Sequence, residues 1–147
     1  MLDLCLAVAH HLLIFSLFGV LAAELAAVRP GMSPQSVRSV ATIDLSYGIL
    51  AGLIVIVGLS RAHFAAKGWA YYAHNVFFWS KMATFIVIGL LSVPPTIAYI
   101  RWKRAGVAPS DSQVMIARRY LYAELVLFAP LLAFAAAMAR GYGELAS

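Results

Sequence analysis

The chain has 147 residues, of which 63% are hydrophobic and 12% charged, about half the charged share of an ordinary soluble domain. That excludes a water-soluble globular domain, and the length admits four membrane spans with short connections and nothing appended. The net charge of +5 comes from basic residues flanking apolar runs, where they set topology and meet lipid headgroups, so no nucleic-acid partner is expected.

The first apolar run, residues 4–27, is long enough as a helix, at ~1.5 Å per residue, to cross a ~30 Å hydrocarbon core. It exceeds a signal-peptide apolar region, has Asp3 as its only early charge, and carries His10, His11 and Glu24, so it is expected to be retained as a span. Imidazoles at that depth find no partner in lipid and must face protein, water or a ligand. His10 shares a helical face with Asp3, Leu17, Leu21 and Glu24, whereas His11 lies about 100° round. The more polar face belongs inside, which favours His10 as the inner group. Cys5 is the single cysteine, which excludes an intramolecular disulfide and a c-type haem attachment motif.

Arg29-Pro30-Gly31 ends the first helix, and Ser33-Pro34 offers an N-cap with proline in the first turn of a short helix running into the second span, residues 43–62. That span begins with Asp44 and holds Gly48 and Gly52, small residues one turn apart that let a neighbouring helix, a second copy of the chain or a flat ligand approach the backbone. Residues 61–75, with His63, Lys67, Trp69, Tyr71, Tyr72 and His74, form a polar and aromatic connection expected to lie along the membrane surface.

Asn75 can cap the third span, residues 76–100, which carries Lys81 about 9 Å in. Pro94-Pro95 should kink this span or interrupt its hydrogen bonding, with Thr96 available to freed carbonyls. Arg101-Trp102-Lys103-Arg104 marks the far boundary. Ser110 or Asp111 then caps the fourth span, residues 113–139, with a kink expected at Pro130.

Arg29, Arg38, Arg101, Lys103, Arg104, Arg118 and Arg119 lie towards one side of the membrane, and Arg61, Lys67, Lys81 and Arg140 towards the other. The more basic side is expected to be cytoplasmic, which puts both termini and the 61–75 connection outside the cytoplasm of a bacterial inner membrane.

With alternating spans, His10, His11, His63 and His74 share one side, and Lys81 reaches a similar depth to His10. A buried lysine calls for a carboxylate, a carbonyl or an anionic ligand group. A ring ligand with propionates would use this set: imidazole nitrogen for iron, Lys81 as second ligand or propionate partner, and Gly48 and Gly52 where a flat macrocycle meets backbone. The reading is therefore a b-type haem site serving electron transfer or a haem-linked oxidation. His63 and His74 also suit plain interfacial hydrogen bonding. Metal held by His10, His11, His63 and His74 without a porphyrin is an alternative, although no HExxH or i, i+4 histidine pair occurs. So are a small-molecule carrier and a cofactor-free structural or accessory subunit.

On the cytoplasmic side Glu24, Asp44, Arg118, Arg119 and Glu124 approach one level and are expected to form ion pairs, or else a proton path, with Tyr47, Tyr120 and Tyr122 as hydroxyl partners. The sequence reads as an all-α, up-and-down four-helix membrane bundle.

The strings His10-His11, Asp44-Leu-Ser-Tyr47-Gly48, Lys67-Gly68-Trp69, Tyr72, Asn75, Phe78-Trp79-Ser-Lys81 and Ser92-Val-Pro94-Pro95-Thr96 together resemble an uncharacterised family of small four-span bacterial membrane proteins, over nearly the whole chain. More distantly, the layout is similar to the four-span haem-binding protoporphyrinogen IX oxidases and to copper-resistance membrane proteins. The oxidase resemblance implies roles for His10 or His11, for Trp79 with Lys81, and for Arg119 with Glu124. It also shows departures: Trp79 and Lys81 stand closer together than the pattern has them, Ala123 replaces its asparagine, and Pro130 comes late.

Overall fold

A computed structural model describes residues 1–64 and 68–145, apart from the side chains of Leu2, Asp3 and Gly68. Asp3 on the His10 face and Lys67 in the connection therefore lie outside the described side chains. Five helices follow one another: α1 (Leu2–Ala27), α2 (Pro34–Phe64), α3 (Gly68–Ala73), α4 (Val76–Ala105) and α5 (Asp111–Ala139). All but α3 are long and apolar enough to cross a membrane.

The local chemistry of each boundary is visible. The α1 helix ends at Val28, whose N–H still donates to Glu24 O. Ser33 Oγ then accepts from Ser36 N–H at 3.1 Å, and Pro34 occupies the first turn. No breaker separates this turn from the span, so the helix that starts at Pro34 runs without interruption into the second span as α2. Asn75 Oδ1 accepts from the Phe77 and Phe78 N–H groups, as its position predicts. Ser110, of the two candidate caps, starts α5 in a capping box with Gln113.

The α4 helix runs through Pro94 and Pro95 and α5 through Pro130; the prolines remove backbone donors without ending either helix. Gly106, at φ 66°, turns the chain out of α4 one turn beyond the expected limit of that span.

The helices pack as two hairpins, α1 with α2 and α4 with α5, joined through α2–α4 and α1–α5 contacts, with α3 against α2 and α4. Leu17, Leu21, Ile54, Ile88, Tyr99, Leu121 and Phe128 form the core. Phe15, Leu45, Leu90 and Val126 instead point outward, each more than 60% exposed. Such a surface is stable against acyl chains and not against water.

The chain after α5 folds back on the start of α4. Gly141 and Gly143 take φ 82° and 83°. Val76 N–H donates to Gly143 O and Leu145 N–H to His74 O, both at 2.9 Å, and Asn75 Nδ2 donates to Tyr142 O at 3.0 Å.

Candidate functional site

At the end of the bundle holding the N-terminus of α1 and α3, the helices part around a cavity of about 340 Å³. Most of its wall is apolar, including Ile14, Ile54, Met82, Phe85, Leu131 and Met138, and its polar contributors include His10, His11, Arg61 and Lys81. Among the described residues, no carboxylate lines it.

His10 is half-buried in the wall, and its Nδ1 is buried without a hydrogen-bond partner. The ring lies against Gly58: a Cβ there would stand 3.2 Å from His10 Cε1. Glycine at this position is thus what lets the imidazole seat against α2. His11 stands nearly perpendicular to it, ring centroids 6.5 Å apart, and is exposed. Its Nδ1 lies 2.7 Å from Ala7 O; because a carbonyl only accepts, this nitrogen carries the proton, and Nε2 of the neutral ring keeps its lone pair.

Lys81 is half-buried, with Nζ 5.7 Å from the Phe78 ring centroid. Arg61 lies near enough for the two charges to interact, and its Nε is buried without a partner. Arg61 was legible in sequence only as a topology-setting charge; its position one helical turn from Gly58 was the available signal. The cavity therefore offers an apolar chamber with an imidazole pair and two cations. It suits a largely apolar molecule carrying anionic groups.

The remaining candidates lie elsewhere. His63 is exposed and packs edge-on against Phe64. His74 is exposed, with Nδ1 donating to Ala70 O at 2.9 Å. The histidines lining the cavity, His10 and His11, both come from α1, so among the described residues the expected gathering of imidazoles from separate segments into one pocket is not seen. Among the described residues no group of three or more His, Cys, Asp or Glu side chains could hold a metal ion. Gly48 and Gly52 lie on the exposed outer face with nothing within 4 Å of an added Cβ, so Gly58 has the close-approach role beside the cavity.

The second polar layer is also rearranged. Glu24, Asp44 and Glu124 are buried, but hydroxyls rather than arginines meet them. Thr96 Oγ1 donates to Asp44 Oδ1 at 2.7 Å, Tyr47 OH donates to Glu124 Oε2 at 2.9 Å, and the Tyr99 hydroxyl faces Glu24. Arg118 donates instead to Leu25 O and Val28 O, the last carbonyls of α1, and to Tyr122 OH. Free carbonyls at a helix C-terminus are strong acceptors for a cation, which accounts for the exchange. Arg119 is exposed.

Residues 2–143 match the model of a family described as "Predicted membrane protein (DUF2214)". No curated protein and no solved structure matches the chain.

Proposed function

Since the chain belongs to this family of predicted membrane proteins, which places it in a bilayer without naming a reaction, we propose that the cavity holds a b-type haem used in electron transfer or a haem-linked oxidation. The observation that carries this reading is His10, whose Nδ1 is buried and unpartnered in the wall of an apolar cavity that also presents Arg61 and Lys81. Bound haem would supply one-electron chemistry at its iron. The chain's own part is to hold and orient. His10 would hold the iron, and His11, with Nδ1 committed to Ala7 O, would be the alternative imidazole. Lys81 and Arg61 would neutralise its propionates, and Phe85, Leu131 and Met138 would keep water from it. We place the protein in a bacterial inner membrane with both termini on the non-cytoplasmic side.

Purification from cells supplied with ample haem tests the proposal. The expected result is a Soret band that shifts on reduction, is lost in the His10→Ala, His11→Ala double variant and is weakened in Lys81→Gln. A colourless, folded wild-type protein would overturn it.

A second reading draws on Arg61 and Lys81 having, among the described residues, no carboxylate beside them in the cavity wall. An anionic amphiphile without iron would satisfy the same two cations. Native mass spectrometry of the colourless protein would then show a retained organic anion, lost on Arg61→Gln.

A further inference from the structure

The carboxylate layer plays no part in the cavity, and buried apolar side chains divide the two on every spanning helix. Leu17 separates His10 from Glu24 on α1, Ile54 separates Tyr47 from Gly58 on α2, Ile88 separates Lys81 from Thr96 on α4, and Phe128 separates Glu124 from Leu131 on α5.

Within the layer the supply of donors falls short. Glu24 and Glu124 are 1% and 0% exposed, and one oxygen of each, Oε1, is buried with no hydrogen-bond partner among the described residues. Tyr99, 0% exposed, points its hydroxyl at Glu24 without completing a hydrogen bond. The groups facing one another are Glu24 from α1, Asp44 and Tyr47 from α2, Thr96 and Tyr99 from α4, and Glu124 from α5, with Arg118 of α5 engaged by the α1 carbonyls. Three anions in one layer of a membrane protein, with no cation engaging them among the described residues, would each carry a large desolvation cost. A proton cancels the charge on either acid, and on Glu24 it also turns an acceptor lacking a donor into a donor towards the Tyr99 oxygen. A metal ion fits less well, because no three acidic, histidine or cysteine side chains among the described residues converge to hold one.

We propose that Glu24 and Glu124 form a proton-binding site in the half of the bundle where α1 ends, with Tyr99 and Tyr47 as their hydroxyl partners and Asp44 as a third acid. Binding adds one proton to a carboxylate oxygen and forms one O–H bond, with no electron transferred. On Glu24 the new O–H donates to the Tyr99 oxygen. On Glu124 the proton sits on Oε1 while Oε2 keeps the Tyr47 bond.

Infrared spectroscopy of the purified protein in lipid nanodiscs tests this independently of any haem. At neutral pH the wild type is expected to show carbonyl bands of protonated carboxylic acids that move down in D2O. Glu24→Gln and Glu124→Gln should each remove part of that intensity, and Tyr99→Phe should shift the Glu24 band while retaining it. If neither Gln variant folds, a band shift in Tyr99→Phe or Tyr47→Phe supports the site, and no shift in either overturns it. Absence of protonated-acid bands in the wild type also overturns it. So does their loss when Na+ or K+ replaces a bulky organic cation, since the ligand would then be the metal ion.

Discussion

Tyr47 and Gly58 act through single contacts, and each contact supports a prediction. Among the described residues the Tyr47 hydroxyl alone hydrogen-bonds the fully buried Glu124 side chain, so Tyr47→Phe strands Glu124 Oε2. A loss of about 1–3 kcal/mol is expected for a buried polar group left without its partner, read as a lower unfolding temperature in detergent. Gly58 meets His10 where even one added carbon comes within 3.2 Å. A valine there, larger by two further carbons, is expected to displace the imidazole. Under the haem proposal, Gly58→Val should weaken the Soret band at unchanged helix content, and retention of full haem occupancy would count against His10 as ligand.

At the scale of elements, the turns rather than the spans are the sensitive parts. Ser110 starts α5 through a reciprocal capping box, so Ser110→Ala should lower stability by about 1 kcal/mol, measured by thermal unfolding. Gly143 combines φ 83° with a Phe77 carbon only 2.5 Å from an added Cβ. Gly143→Ala is therefore expected to release the C-terminal segment from α4, and faster hydrogen exchange at the Val76 and Leu145 amides would report it. The internal prolines teach a related point. Pro94 and Pro95 suggest a kink or an interruption and Pro130 a kink when read alone, and both helices continue through them, because packing along the remaining turns outweighs a few missing backbone bonds.

For the molecule as a whole, the unequal basic charge of its two faces carries the orientation. With Cys5, which is exposed, first replaced by serine, a cysteine at Ala108 between α4 and α5 should react with a membrane-impermeant reagent only from the cytoplasmic side. One at Tyr142, also exposed, should react only from the opposite side. The reverse pattern would invert the proposed topology. The two polar regions also differ at this scale: one is an electropositive cavity, the other a closed acidic layer, with apolar core between.

Hydrophobic run length, breaker residues and caps act over a few neighbouring positions, so the sequence alone determined the membrane class, the four spans and the cap at Asn75, and narrowed the cap of α5 to Ser110 or Asp111. It also marked His10, His11 and Lys81 as polar groups at one depth. Which of them meet was decided by helix rotation and packing, which depend on contacts between residues far apart in the chain. Tertiary structure alone therefore brought Arg61 into the cavity wall, seated His10 on Gly58 and left His63 and His74 at the surface. It likewise gave Arg118 to the α1 carbonyls instead of the carboxylates, because a charged group takes whichever partner the packed helices set within its reach.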